Sequence, residues 1–122
     1  ETLSSNSVAF ESVEEMLADS EYFTNPDISL KQVADKLNTN TNTVSKLINS
    51  ETGMNFNDYI NQKRIERSKV RLLDPDYSHL TIEAIGQTVG FNSKSAFYAA
   101  FKKHVGQSPS AYVKAKNNEK RA

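Results

Sequence analysis

The sequence predicts an all-α fold of about seven helices, with two helix-turn-helix subdomains joined by a long linker helix. Three observations predict it. A helical pattern in residues 29–53 returns in residues 81–106 at an offset of 52, which becomes 53 after one extra residue in the second turn. Apolar residues in both copies fall at i, i+3 and i+4, the spacing of one helical face. Residues 56–73, between the copies, hold neither glycine nor proline. The 122 residues suffice for one domain or two very small ones. Units that small bury thin cores, so a shared element is expected to brace them.

Residues 1–9 (ETLSSNSVA) are polar, Ser-rich and without period, and read as the end of a linker. The chain opens on Glu1 and reads as part of a longer protein. A helix is expected next, with Ser12 and Glu15 as a capping box and Val13, Met16 and Leu17 as its apolar face. Asn25-Pro26-Asp27 is a turn.

The first copy starts at Ser29 and the second at Thr81, both able to cap a helix through a side-chain oxygen. Leu30, Val33 and Leu37 match Ile82, Ile85 and Val89 on the buried face. Ala34 and Gly86 are small beside that face and let a second helix cross at close range. Asn38 and Gly90 stand where the first helix ends, and both residue types tolerate the left-handed conformation needed there. A second helix then starts near Thr41 in one copy and near Ser93 in the other. Its inward face is Val44, Leu47 and Ile48 in the first copy, and Phe97, Ala100 and Phe101 in the second. Gly53/Gly106, Tyr59/Tyr112 and Ile60/Val113 continue the match. Helix, tight turn and helix at this spacing define the helix-turn-helix motif.

Between the copies, Phe56, Tyr59, Ile60, Ile65, Leu72 and Leu73 supply apolar contacts, and Asp74-Pro75 stops the helix. Eighteen helical residues span roughly 27 Å. The chain therefore divides into a linker remnant (1–9), an N-terminal helix with the first subdomain (10–55), the linker helix (56–74), and the second subdomain with a C-terminal tail (75–122).

The net charge of zero is an average over unlike parts. Residues 1–27 hold seven acids and no Lys or Arg, while residues 28–122 hold eight acids against fifteen bases, a net charge of +7. Phosphate binding depends on local charge, so the zero total does not exclude a nucleic-acid partner. With no cysteine, disulfides, thiol nucleophiles and Cys-ligated metals are ruled out, which fits a reducing cytoplasm. No signal-peptide pattern opens the sequence and no apolar run has the length of a membrane span.

The second copy with its tail, IEAIGQTVGFNSKSAFYAAFKKHVGQSPSAY (82–112), resembles the signature of the AraC family of transcription regulators. Gly90-Phe91, Phe97, Phe101-Lys102-Lys103, Gly106, Ser108-Pro109 and Tyr112 carry the resemblance at the family's spacings, and the first copy with Arg64-Ile65 also matches. The resemblance covers residues 10–116. It implies a seven-helix DNA-binding domain with two helix-turn-helix subdomains, serving as the output of a bacterial transcription regulator. Its partner would be double-stranded DNA, read at two successive major-groove segments. An upstream sensor or dimerisation domain is expected, with RNA polymerase as a further partner. The Asn-rich first turn also resembles regulators in which such a domain ends a two-component hybrid or a membrane-anchored receptor. The domain itself is expected in the cytoplasm, with no cofactor and no small-molecule ligand.

A recognition helix turns one face to the core and uses its outer N-terminal face for base edges. In the first copy this leaves Asn42, Thr43, Ser45, Lys46 and Asn49 as base-contacting candidates. Asn pairs with adenine and Lys donates to guanine. In the second copy Lys94, Ser95 and Tyr98 hold the corresponding outer positions, beside Ala99. Many family members carry a long polar residue where Ala99 stands, so the second unit is expected to clamp more than it reads. Phosphate contacts are expected from Ser29, Thr41, Thr81, Ser93, Lys102, Lys103 and Ser108, at helix starts or close to them. Lys63, Arg67 and Arg71 form an i, i+4, i+8 stripe that reads as a solvated face.

No enzymatic constellation is visible. The two histidines, His79 and His104, lack convergent partners, and Asp74, Asp76 and His79 share only a turn. The alternative from another class is a helix-turn-helix module that docks a partner protein without binding DNA. Such a surface shows exposed apolar residues, and only Tyr98 and Ala99 fit that on the outer faces.

Overall fold

The structure is a computed structural model that describes residues 8–121, Arg121 by its backbone alone. Of the expected linker remnant, only Val8 and Ala9 fall among the described residues. Eight α-helices and no strand occur there: α1 (Phe10–Leu17), α2 (Ser20–Phe23), α3 (Leu30–Lys36), α4 (Thr41–Thr52), α5 (Phe56–Leu72), α6 (Ile82–Thr88), α7 (Lys94–Val105) and α8 (Pro109–Arg121). A short 3-10 helix, Pro75–Tyr77, follows α5. The all-α fold expected from the sequence is the one observed, with the four-residue α2 as an added turn.

The chain divides into two units between Asn61 and Gln62. In the first, Val13 and Leu17 of α1, Phe23 of α2, Val33 and Ala34 of α3, and Val44 and Ile48 of α4 are buried together. Phe56, Tyr59 and Ile60 of α5 close this core. In the second, Ile65 of α5 is buried with Val89, Phe91, Phe97, Ala100, Phe101 and Tyr112. The helix α5 thus supplies residues to both cores, and its i, i+3, i+4 set at 56, 59 and 60 follows from helical spacing.

The duplication covers three helices, as the Tyr59/Tyr112 and Ile60/Val113 matches imply. Each copy runs from a seven-residue helix (α3, α6) to a twelve-residue helix (α4, α7) and then a third (α5, α8). The turns are built alike. The Thr39 N–H donates to the Ala34 carbonyl at 2.9 Å and the Phe91 N–H to the Gly86 carbonyl at 3.0 Å. The residue between is left-handed in each, Asn38 at φ 56° and Gly90 at φ 113°. That is the bonding of a Schellman helix end. The third helices are capped alike: Asn55 Oδ1 accepts from the Asp58 N–H, and Ser108 Oγ accepts from the Ala111 N–H.

The copies differ where packing demands it. A Cβ on Gly86 would lie 2.5 Å from Cδ2 and 2.6 Å from Cγ of Phe97, so no other residue fits under that ring without displacing it. At the matching positions the first copy has Ala34 and the smaller Val44, both buried. One methyl on α3 is exchanged for a ring on α7, conserving the filled volume.

Two expectations are corrected. Ser12 and Glu15 do not form a capping box: α1 begins at Phe10, and its N-cap Ala9 makes no side-chain cap bond. The Ser12 N–H already donates to the Ala9 carbonyl inside the helix. Phe10 packs on the first core and edge-on against Tyr59 at 6.0 Å, which extends the helix backwards past the polar signal. The expected start of α4 near Thr41 holds: Thr41 is the first helical residue, and the cap is Asn40, whose Oδ1 accepts from the Thr43 N–H at 2.8 Å. Arg71 is not part of a solvated stripe, since it donates to the Thr88 carbonyl at 3.0 Å and lies over the Tyr77 ring. Asn25-Pro26-Asp27 does turn, with the Asp27 N–H donating to Asn25 Oδ1. Arg64 is buried with its guanidinium 5.7 Å from the centre of the Phe91 ring, and burial pulls its pKa below the usual arginine value.

Candidate nucleic-acid interface

The helix α4 owes its inward face to Val44 and Ile48, both fully buried, with Leu47 half-buried beside them. A helix with that side sealed turns the remainder outward. Asn42, Lys46 and Asn49 are exposed, and Thr43 and Ser45 are half-buried at the flank. Thr43, Ser45, Lys46 and Asn49 line one surface hollow with Ser50 and Asn55. The structure thus brings four of the five base-contacting candidates of the first unit to one surface, and Asn42 lies one residue before it on the exposed side.

The helix α7 is sealed more heavily. Phe97, Ala100 and Phe101 are buried, with Phe97 and Phe101 packed edge to face at 5.8 Å. Lys94, Ser95, Ala99, Lys102 and Lys103 are exposed. Tyr98 is half-buried because its ring stands edge-on against Phe97 at 6.0 Å. The Lys94 ammonium lies 5.4 Å from the centre of the Tyr98 ring and 4.0 Å from Oε2 of Glu83 on α6. Exposed ion pairs of this kind add little stability, so the pair's interest is positional.

The hydroxyl-bearing phosphate candidates sit at helix starts. Ser29 accepts from the Gln32 N–H, and Gln32 returns the bond to the Ser29 N–H, forming a capping box. Thr81 accepts from the Ala84 N–H, Ser93 from the Ala96 N–H and Ser108 from the Ala111 N–H, each at 3.1 Å. A capping hydroxyl uses a lone pair, so its own O–H can still donate to a phosphate oxygen. Lys102 and Lys103 lie in the last turn of α7, where cations also suit the helix dipole.

Sequence reasoning missed Asn40, Ser50, Asn55 and Glu83. Asn40 was recoverable, because it lies 53 residues before the cap Ser93. Asn55 was recoverable the same way from Ser108. Glu83 gave no signal, since its approach to Lys94 depends on how α6 crosses α7. Among the described residues no group of three metal-ligating side chains occurs, and no helix is long and apolar enough to cross a membrane.

Residues 33–115 match the model of a helix-turn-helix domain family, over more than half of the chain. The chain belongs to the AraC family of helix-turn-helix regulators. It is a DNA-binding domain of the kind that forms the output of transcription regulators. Among curated proteins it is similar to the Msm operon regulatory protein of Streptococcus mutans, 34% identical over 87 residues, covering 71% of this chain and 30% of that protein. It is similarly related to the melibiose operon regulatory protein of Escherichia coli, 33% identical over 87 residues, covering 71% of this chain and 28% of that protein. The chain thus spans less than a third of the length of these AraC-family relatives. Among solved structures it resembles the C-terminal domain of AraT, a response regulator from Geobacillus stearothermophilus. There the TM-score is 0.73 and the identity 28%, over 86% of this chain and 83% of that one. The C-terminal domain of the two-component response regulator yesN from Fusobacterium nucleatum gives a TM-score of 0.71 and 28% identity, over 85% and 96%.

Proposed function

We propose that this AraC-family domain reads a specific double-stranded DNA sequence along two successive major-groove segments, with α4 as the main base reader and α7 as the stronger clamp. The carrying observation is the outer face of α4, where exposed Asn42, Lys46 and Asn49 stand opposite the sealed Val44 and Ile48. Asn42 and Asn49 offer the paired donor and acceptor that suit adenine, and Lys46 offers a donor for guanine O6 or N7. Thr43 and Ser45 flank them. In the second unit Lys94, Ser95 and Tyr98 face the bases, while Lys102, Lys103 and the hydroxyls of Ser93 and Ser108 take phosphates. Ser29, Thr41 and Thr81 take phosphates at the other helix starts.

The functional blocks of this reading are the first subdomain (10–55), the linker helix (56–74) and the second subdomain (75–122). In the full-length protein an upstream sensor or dimerisation domain controls the output. The response-regulator likeness favours a two-component arrangement. The domain works in the cytoplasm, contacts RNA polymerase from its DNA site, and carries no catalytic activity and no cofactor of its own.

Replacing Asn42 or Lys46 by Ala tests the reading. Each loss is expected to cost about 1–3 kcal/mol on the preferred duplex and much less on random duplex, measured by fluorescence anisotropy. Equal losses on both would make these residues backbone contacts and remove α4 as the reader.

A further inference from the structure

The cluster of Glu83, Lys94 and Tyr98 is specific to the second unit. At the positions matching Glu83 and Lys94 the first copy has Lys31 and Thr41, and Lys31 pairs within its own helix with Asp35 at 2.8 Å. Lys94 is the first residue of α7, directly after the cap Ser93. A lysine there has two choices on DNA. The backbone N–H groups and the Ser93 hydroxyl at the helix start form a phosphate site, and a compact charge on a flexible stem is drawn to the same phosphate. Held elsewhere, the ammonium can instead donate to a base edge, because the N-terminal residues of a recognition helix approach the bases.

In the structure the ammonium lies near both the Tyr98 ring and the Glu83 carboxylate. Lys94 and Tyr98 are i, i+4 neighbours, and the ammonium lies 5.4 Å from the Tyr98 ring centre on the exposed side of α7. Tyr98 cannot follow Lys94 away, because its ring is packed edge-on against the buried Phe97. Glu83 places a carboxylate oxygen 4.0 Å from the same ammonium. That carboxylate partly neutralises Lys94 in the free protein and repels a phosphate approaching it. Both effects fall most heavily on a contact to a charged phosphate and less on one to the neutral O6 and N7 acceptors of a base.

We infer that Glu83 and the Tyr98 ring are positioning residues that aim Lys94 at a guanine edge and withhold it from the phosphate backbone. The inference rests on the reading of α7 as a DNA-recognition helix, and it assigns the second unit direct readout at one base pair. Guanine is the base because its O6 and N7 both accept from an ammonium in the major groove.

The test uses the 122-residue chain, its duplex recovered by selection from random DNA, and the same duplex with single guanines replaced by 7-deazaguanine. Glu83→Gln is expected to bind random duplex about fivefold more tightly and to steepen the salt dependence by about one phosphate. Binding to the selected duplex should change less, so discrimination narrows. One 7-deazaguanine is expected to weaken the unaltered protein at least about fivefold. That loss should shrink in Glu83→Gln and in Tyr98→Leu but persist in Tyr98→Phe, which keeps the ring. Both substituted sites are exposed or half-buried, and matching thermal melts establish that the variants fold. An unchanged discrimination ratio and salt slope in Glu83→Gln would overturn the inference while leaving DNA reading by the domain intact. So would a selected duplex in which no guanine replacement depends on Glu83. Failure to recover any preferred duplex would overturn both together.

Discussion

Replacing Phe101 by Ala is expected to cost the second unit about 3–5 kcal/mol, the range for deleting a buried aromatic ring. Phe101 is fully buried, with its ring edge-on to Phe97 at 5.8 Å and to Tyr112 at 5.6 Å. The second of these contacts joins α7 to α8. Removing the ring leaves a cavity that the neighbours cannot fill, because Phe97 is already fixed over Gly86. Whole domains are stable by only about 5–15 kcal/mol, and a unit of some sixty residues sits low in that range. Urea denaturation followed by circular dichroism should show the second unit unfolding first and separately. Val70→Ala is the control: Val70 is 62% exposed on α5, and its loss should stay within about 0.5 kcal/mol. A Phe101→Ala midpoint matching that of Val70→Ala would contradict the core described for the second unit.

The affinity for DNA is expected to fall about 10³-fold between 50 and 200 mM salt. This follows if about six phosphates displace their condensed counterions. Exposed Lys102 and Lys103 are among the cations that take phosphates, within residues 28–122 of net charge +7, and neutral hydroxyls and helix N–H groups at Ser29, Thr81, Ser93 and Ser108 fix their register. The zero net charge does not weaken the expectation. Seven acids sit in residues 1–27, and six of these lie at positions 11–27, on α1, α2 and the turns beside them. A titration in potassium chloride gives the slope directly. A flat response would assign the outer faces of α4 and α7 to a protein partner instead, the alternative the sequence also allowed.

The helix pairs α3–α4 and α6–α7 were legible because two copies of one pattern constrain each other. Asn38 and Gly90 mark the same turn, and Ala34 and Gly86 the same crossing. The inward faces were legible for the same reason, and so were the outward residues of α4. What was not legible depends on tertiary packing. The start of α1 is set by Phe10 meeting Tyr59, a contact 49 residues away in sequence, which outweighs the local polar signal at Ser12. Arg71 looked solvated by its spacing, yet it caps the end of α6 through the Thr88 carbonyl. The Glu83–Lys94 approach needed the crossing of two helices, which periodicity does not give. The extension of the duplication into the third helices was legible at Tyr59/Tyr112, but not their equivalent caps, Asn55 on α5 and Ser108 on α8.

The central claim is that the outer face of α4, set by Asn42 and Lys46, reads base sequence. Selection of bound duplexes from a random library by this chain, followed by sequencing, tests it most directly. The account predicts enrichment of one motif whose positions split into two blocks. In a parallel selection with Lys46→Ala, one block should lose its base preference and the other keep it. Enrichment of no motif by the folded chain, or the same motif at the same strength from Lys46→Ala, would contradict it.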